Sequence, residues 1–495
     1  MPDTQLCATV AGQTMAEIRR ARDAADGADL IEVRLDGVTD LDVAGALEGR
    51  RRPVVITCRP TWEGGRFDGS EDERRHVLES AVALGAEFID VEAIAACAPD
   101  IIRARRGRGV VVSMHQFTAT GNDIVARYRT LRSMGAEISK LSVMTPTLSA
   151  SLPLFDLADS AAAQPPSHIL VAMGQAGVPA RLLATRLNNR WTYAGDGAAP
   201  GQLPLDRMLR EFQFRRIRSD SAVYGVAGSP VGHSLSPVMH NAGFAAAGVS
   251  ATYLPFETSS AEDFVRCARR LGLRGASITA PLKVAMMAYM DDVDPLARRV
   301  GAINTIIVRD NRWLGANTDV EGFLAPLSGR IALKGVRATV LGAGGAARAV
   351  AVALSHQGAA VTVSARKPEA AREIAQLAGG TVGTFPPRCG SWDVLVNATP
   401  AGSTKDPANP IAGAALDGEI VFDLVYAPAE TQLLADARAA GCLPIGGLEM
   451  LIAQAERQFE LWTGQRPPAG LFQAAAGGVP FQTSAAATHS NTSNL

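Results

Sequence analysis

Short runs of β-branched and other apolar residues recur through the first 218 positions, separated by stretches whose apolar residues repeat at helical spacing. The runs are Leu6–Val10, Leu30–Leu35, Val54–Cys58, Phe88–Val91, Val110–Ser113, Ile138–Val143, Ile169–Met173 and Trp191–Tyr193. Eight strand-like runs at intervals of roughly 20 to 30 residues, with helices between them, predict a (βα)8 barrel whose active site lies at the C-terminal strand ends. Polar residues gather at those ends. Glu32, Arg34 and Asp36 close the second run, Arg59 the third, Glu92 the fourth and His115 the fifth, and Lys140 lies within the sixth.

An Arg-rich stretch, Leu205–Ile217, is expected to be the helix that closes the barrel. After a short linker, strand patterns resume at Ala222–Val226, Thr252–Pro255, Gly275–Ile278 and Ala302–Val308, followed by a more regular βαβ unit from Ala338. This alternation predicts an α/β second half built of two subdomains. Residues 481–495, rich in Ser, Thr, Asn and Ala, show no periodicity and are expected to be disordered.

Composition narrows the function classes. Forty-eight basic against 49 acidic residues give a formal net charge of -1, so no overall basic field attracts nucleic acid. The most apolar stretch, Ala338–Leu354, is glycine-rich and carries Arg348, which excludes it as a membrane span. No basic n-region followed by an apolar h-region opens the chain, so a cytoplasmic address is expected. Six scattered cysteines and seven histidines show no metal-ligand spacing; free thiols and no metal are expected. Only five of the 48 basic residues are lysines: Lys140, Lys283, Lys334, Lys367 and Lys405. In so arginine-rich a chain a lysine is a candidate for a place where guanidinium, which stays protonated, cannot substitute; chance retention of a surface lysine is the alternative, expected for about half of the five.

Lys140 sits on a predicted inner strand among cations and carboxylates. A neutral amine there condenses with a ketone to an imine, which acidifies the neighbouring C–H. His115, one strand away, has the pKa range of a general base, with Glu92 on the preceding strand placed to orient its ring. The reaction class is proton abstraction next to a carbonyl, ending in elimination or aldol cleavage. Arg34, Arg59 and Arg181 supply cations for a carboxylated polyol.

Several segments together resemble type I 3-dehydroquinate dehydratase over residues 4–217: Glu32-Val33-Arg34-Leu35-Asp36, Thr57-Cys58-Arg59 with Glu63-Gly64-Gly65, Ile89-Asp90-Val91-Glu92, Ser113-Met114-His115, Ser139-Lys140-Leu141 and Ala199-Pro200-Gly201-Gln202. The resemblance implies a Schiff base on Lys140, with His115 as acid/base and Glu92 supporting it. Substrate would then be bound by Glu32, Arg34, Arg59, Arg181 and Gln202, with Met173 packed by the imine. Ala198 departs from the serine frequent in that family.

In the second half, Ala338–Leu341 runs into Gly342-Ala343-Gly344-Gly345-Ala346-Ala347, a G-x-G-x-x-A fingerprint between strand and helix that suits a dinucleotide pyrophosphate. The next strand ends in Arg366-Lys367, where an NAD site offers a carboxylate; two cations favour the 2'-phosphate of NADP. Lys283, in Thr279-Ala280-Pro281-Leu282-Lys283, and Asp319 suit proton transfer at a hydroxyl being oxidised while the nicotinamide takes the hydride.

These segments, with the hydroxyl-rich Ser229–Asn241, Asn397-Ala398-Thr399, Asp423–Tyr426 and Gly447–Ala455, resemble shikimate dehydrogenase over residues 222–477. The resemblance implies Lys283 and Asp319 as the catalytic pair. It implies substrate contacts from Ser234, Ser236, Thr279, Asn304, Tyr426 and Gln454. The cofactor would be met by Gly342, Gly344, Gly345, Ala346, Arg366, Lys367, Thr399 and Met450. Ser277 and Ala365 stand where the family has asparagines.

The whole chain is similar to a dehydratase–dehydrogenase fusion acting on small molecules, with no nucleic-acid or membrane partner. The domains implied are a barrel over 1–218, a substrate-binding subdomain over 222–325, a Rossmann NADP subdomain over 326–446 and C-terminal helices over 447–480 returning to the substrate subdomain. A quinate-oxidising second half and a ligand-sensing regulator are the rival readings. Retention of Lys140, His115, Lys283 and Asp319 together argues against the regulator.

Overall fold

The computed structural model describes residues 4–118, 123–160, 167–197 and 199–477. Ala198 and the tail 481–495 lie outside them. The chain divides into two compact units, Met1–Leu282 and Lys283–Leu495.

The first unit begins with eight parallel strands: β1 (Gln5–Val10), β2 (Leu30–Arg34), β3 (Val54–Thr57), β4 (Phe88–Glu92), β5 (Val110–Gln116), β6 (Ile138–Met144), β7 (His168–Met173) and β8 (Trp191–Ala194). Their spatial order, β7-β6-β5-β4-β3-β2-β1-β8, is that of a barrel. The seam between β7 and β8 is finished by a side chain. Asn189, just before β8, accepts from the Leu170 backbone N–H at 2.8 Å and donates to its carbonyl at 2.9 Å, imitating a strand partner. Buried Cys7, Leu30, Val55, Val111, Ile138, Ile169 and Trp191 fill the interior, so the barrel is a packed core with its polar groups confined higher up.

The expected single helix over Leu205–Ile217 is not one helix. A wide turn at Arg207–Glu211 and a short 3-10 turn at Phe214–Arg216 are separated at Gln213, whose φ of 46° is incompatible with a continuing right-handed helix. Three parallel strands follow, β9 (Ala222–Gly228), β10 (Ala251–Glu257) and β11 (Leu273–Ile278), with β9 paired to both others. They belong to the first unit because hydrogen bonds and ion pairs tie them to the barrel. The Asp263 carboxylate accepts from the Leu148 and Ser149 N–H groups at 2.9 Å each, Arg186 donates to the carbonyls of Leu271 and Ser221, and Arg270 pairs with Asp156 and Asp159.

In the second unit, β12 (Asp292–Val293), β13 (Thr305–Arg309) and β14 (Arg312–Ala316) precede a parallel sheet of six strands. Its members are β15 (Arg337–Leu341), β16 (Ala360–Ser364), β17 (Thr381–Val382), β18 (Val394–Asn397), β19 (Ile420–Asp423) and β20 (Leu443–Gly446), in the order β17-β16-β15-β18-β19-β20. This is an open doubly wound sheet of Rossmann type, whose ligand crevice lies at the carboxyl ends of its strands. The expected strand Ala302–Val308 instead runs over Thr305–Arg309. The long helix Gly447–Thr463 packs on the helix Asp319–Leu327. A Cβ on Gly322 would stand 2.6 Å from that of Gln454, so only glycine permits this approach.

Among the described residues no helix is long and apolar enough to cross a membrane, and no three His, Cys, Asp or Glu side chains converge to hold a metal ion. All six cysteines are free.

Candidate active sites

The carboxyl ends of β1 to β8 bring together a buried charged cluster. Lys140 on β6 is 5% exposed; its Nζ donates to Asp90 Oδ2 at 2.9 Å, lies 3.6 Å from Glu32 Oε1 and stands 4.4 Å over the Tyr193 ring. Strand alternation puts Asp90 and Glu92 on one face of β4. Burial alone would raise the Asp90 carboxyl, yet Arg59, Lys140 and His115 hold it far below the usual carboxylate range.

Arg59 reaches Asp90 at 2.7 Å, Glu92 at 2.6 Å and the Ser113 hydroxyl at 2.8 Å. Arg74, fully buried, takes the other Glu92 oxygen at 2.5 Å and also binds Glu71. Glu92 is therefore saturated by two guanidinium groups and does not orient His115 as expected. That contact belongs to Glu63, on the turn after β3. Glu63 Oε1 accepts from the His115 backbone N–H at 2.6 Å and lies 3.0 Å from its ring Nδ1. The Glu63-Gly64-Gly65 segment carried the signal. Gly64 has φ 75°, and a Cβ on Gly65 would collide with the Arg59 carbonyl 2.0 Å away, so the glycines fold the turn back over the strand end.

Burial, then the nearby cations Arg59 and Lys140, lower the His115 pKa well below its ordinary value. Burial raises Glu63 to about 7 against the pull of Arg59. A neutral imidazole whose Nδ1–H is given to Glu63 leaves Nε2 as a base.

Glu32 accepts from Thr9 at 2.8 Å and Thr57 at 3.1 Å, and Gln202 donates to Thr9 at 2.9 Å. Arg34 is already paired, through two hydrogen bonds, with Asp36. Arg181 is different: it is 4% exposed, donates to the Pro200 carbonyl, and has no acidic partner among the described residues. Burial pulls its pKa down to about 10, which still leaves it cationic at neutral pH. Its Nε and the Gln202 Oε1 are buried with no hydrogen-bond partner among the described residues, two polar atoms left for a ligand. Met173 is buried in the same interior.

Elsewhere in the first unit, Ser234 and Thr279 lie on the loops after β9 and β11, both half-buried, and buried Ser236 opens the helix Ser236–Ala246. Ser277 is held by the buried Tyr253, whose hydroxyl donates to its Oγ at 2.6 Å. Tyr253 was not singled out from the sequence.

In the second unit Lys283 Nζ donates to Asp319 Oδ2 at 2.5 Å. Asn304 Nδ2 donates to the other Asp319 oxygen at 2.7 Å and to Thr318 at 3.0 Å, and approaches Gln454 Oε1 at 3.4 Å. Asp319 is thus fixed by an amide on one oxygen and an ammonium on the other.

Lys283 lies beside the glycine loop, since a Cβ on Gly345 would be 3.2 Å from its Cδ. Gly342 has φ 114°, and a Cβ there would press on the Ala398 carbonyl at 3.0 Å. Nothing lies within 4 Å of the corresponding position on Gly344, whose backbone stands open at the start of the helix Gly345–His356 that includes Ala346. Thr399 N and Oγ1 donate to Asn397 Oδ1, and Asn397 is held by Asp423. Arg366 and Lys367 are exposed just past β16. An open helix N-terminus, bare glycine backbone and two cations at the next strand end fit a phosphorylated dinucleotide. Tyr426 is half-buried, and Met450 packs into the sheet core.

Comparison with known proteins places three family models on the chain. They are Type I 3-dehydroquinase over residues 6–219, the shikimate dehydrogenase substrate binding domain over 226–306, and the shikimate 5'-dehydrogenase C-terminal domain over 447–476. The chain is 33% identical to the chloroplastic bifunctional 3-dehydroquinate dehydratase/shikimate dehydrogenase of Arabidopsis thaliana, covering 90% of this chain and 79% of that one. It is 40% identical to the NADP(+) shikimate dehydrogenase of Shouchella clausii, over 49% of this chain and 94% of that one. Among solved structures, shikimate 5-dehydrogenase from Thermus thermophilus in complex with NADP(H) and shikimate is 39% identical. It covers 52% of this chain and 98% of its own, with a TM-score of 0.48.

Proposed function

The chain belongs to the family of bifunctional 3-dehydroquinate dehydratase/shikimate dehydrogenases, and we propose that it performs both reactions, dehydrating 3-dehydroquinate to 3-dehydroshikimate and reducing that product to shikimate. The observation that carries the first step is the buried Lys140 amine held between Asp90, Glu32 and the Tyr193 ring, one strand from a neutral His115.

Arg181, the buried cation without an acidic partner, receives the substrate carboxylate, and Gln202 and Glu32 take hydroxyls. Asp90 holds Lys140 in place; once the amine has lost its proton it adds to the ketone, and water leaves as the imine forms. The iminium draws electrons from the neighbouring C–H, and His115 Nε2 takes that proton while Glu63 holds Nδ1. The same proton then goes to the hydroxyl one bond further on, which departs as water while the double bond forms. Water hydrolyses the conjugated imine and frees Lys140. An elimination is favoured over aldol cleavage because one base, fixed by Glu63, serves both the C–H and the leaving oxygen.

For the second reaction, NADPH supplies a hydride when bound. The glycine loop Gly342–Ala346 and the N–H groups at the helix start would hold its pyrophosphate, Thr399 would line the nicotinamide side with Met450 behind it, and Arg366 with Lys367 would bind the 2'-phosphate. Lys283, fixed by Asp319, gives its proton to the carbonyl oxygen as that oxygen becomes a hydroxyl; Asn304 keeps Asp319 aligned. Ser234, Ser236 and Thr279 in the first unit, and Tyr426 and Gln454 in the second, are the further residues that the resemblance assigns to polyol binding.

Six free cysteines suit a reducing compartment, and the cytosol is the proposed address; the plant relative is named as chloroplastic.

The test mixes the protein with 3-dehydroquinate and NADPH and follows shikimate formation beside nicotinamide oxidation. Equimolar conversion, lost in Lys140→Ala and sharply slowed in Lys283→Ala, supports both sites. Ligand binding without turnover favours a sensor instead.

A further inference from the structure

Residues 207–216, the two turns after β8, are bonded on both sides. Toward the barrel, Arg215 donates to the Asp29 carboxylate at 2.5 Å and the Gly27 carbonyl at 2.6 Å. Leu209 packs where Gly27 leaves room, since a Cβ there would be 2.6 Å from Leu209 Cδ1. Toward β9 and β10, Arg207 Nη2 donates to the Gly232 carbonyl at 3.1 Å while Nε and Nη2 clasp Glu211 at 2.5 and 2.8 Å. The guanidinium lies over the buried Phe212 ring, 5.7 Å from its centroid, which fixes its plane.

One buried amide continues the connection. Asn241 Nδ2 donates to the carbonyls of Glu211 and Tyr253 at 3.1 Å each, and its Oδ1 accepts from the Tyr253 N–H at 2.8 Å. The Tyr253 hydroxyl then donates to Ser277. Hydrogen bonds at its two ends thus fasten the segment 207–216 to the barrel wall at Asp29 on one side, and to the loop after β9 and, through Asn241 and Tyr253, to Ser277 on β11 on the other.

Gly232 is two residues before Ser234 and four before Ser236. Glu257 also anchors this loop further upstream, at the Ser229 hydroxyl (2.7 Å) and the Val231 N–H (2.7 Å). Gly232 itself is exposed, with nothing within 4 Å of where a Cβ would stand; the Arg207 bond holds the loop two residues before Ser234, while the Tyr253 hydroxyl reaches Ser236.

We propose that Arg207 is a positioning residue for shikimate binding: the closing turn of the dehydratase barrel holds the dehydrogenase loop Ser229–Ser236 in its binding geometry. The inference rests on the functional reading above. A segment that topology assigns to the first enzyme thereby sets the substrate affinity of the second, and the fusion is more than a tether. Because Arg207 touches neither the barrel cluster nor the cofactor loop, its removal acts on one Michaelis constant and spares the others.

The experiment uses the full chain with Arg207→Ala, Arg207→Lys and Glu211→Gln, measuring shikimate oxidation, 3-dehydroquinate dehydration and thermal unfolding. For Arg207→Ala the expected result is a KM for shikimate raised about five- to tenfold, the loss of one charge-assisted hydrogen bond and its orienting partner. The kcat stays within about twofold, and KM for NADP and the dehydratase constants hold. Arg207→Lys restores part of the loss, and Glu211→Gln shows a smaller rise in the same constant. An unchanged KM for shikimate overturns the inference. So does a joint fall of both activities with the melting temperature, which assigns Arg207 to stability alone. If the unsubstituted chain fails to oxidise shikimate, the functional reading falls and takes this inference with it.

Discussion

Glu63 and His115 are 52 positions apart, yet one carboxylate oxygen of Glu63 meets both the backbone N–H and the ring Nδ1 of His115. The double contact fixes the ring plane and its tautomer together. Glu63→Gln retains the volume and weakens both bonds, so the dehydratase kcat should fall about ten- to a hundredfold, as when a partner that orients a functional imidazole is removed. Steady-state kinetics with 3-dehydroquinate check this, and dehydrogenase activity in the same preparation should be unchanged.

The same carboxyl makes a pH prediction. Its folded pKa of about 7 is raised above the ordinary 4.5, so the fold favours its protonated form. The stability it contributes is fully present below the unfolded pKa and is lost as pH rises through the folded value. Between about pH 4.5 and 7 the melting temperature of the unsubstituted chain should therefore decline relative to that of Glu63→Gln. His115, with a lowered folded pKa, acts in the opposite sense: its contribution is present above its unfolded pKa and is lost on acidification. A parallel series with His115→Gln separates the two.

Lys140 should be the residue that borohydride marks. Reduction in the presence of 3-dehydroquinate or its product converts a Lys140 imine to a stable secondary amine, and peptide mass spectrometry should find the adduct on the peptide containing Lys140. Lys140→Ala should lose both the adduct and at least about a thousandfold in dehydration rate, because Lys140 is the only lysine before position 283.

Arg181 separates binding from stability. A buried guanidinium without a carboxylate partner is a cost to the fold, so Arg181→Leu should leave the melting temperature unchanged or raise it. The KM for 3-dehydroquinate should nonetheless rise about tenfold or more, because the substrate carboxylate loses its charged partner. Arg74→Met should do the reverse. It leaves the buried Glu92 charge short of a partner, and the first unit should lose on the order of 3 kcal/mol in denaturant titrations.

For the cofactor, replacing Arg366 and Lys367 together by alanine should raise KM for NADP about tenfold or more while changing that for NAD little, since only NADP carries the 2'-phosphate proposed to bind them. A parallel rise for both cofactors would place the two cations elsewhere.

The eight barrel strands, the parallel sheet with its glycine fingerprint, and Lys140, His115, Lys283 and Asp319 as candidates were legible in the sequence. Each rests on a local signal: apolar runs at strand length, glycines between strand and helix, and lysines kept in a chain that otherwise uses arginine. Pairing within the barrel was not legible, because which carboxylate meets which cation there depends on distances between segments far apart in the chain. Alternation along β4 put Asp90 and Glu92 on one face, but only the folded barrel gave Asp90 to Lys140 and saturated Glu92 with Arg59 and Arg74, leaving His115 to Glu63. Arg34 and Arg181 look alike as letters; Asp36 neutralises one and nothing acidic among the described residues reaches the other. The broken turn at Gln213, and with it the reach of Arg207 to Gly232, likewise belongs to tertiary structure, where a single left-handed residue redirects the chain between its two anchors.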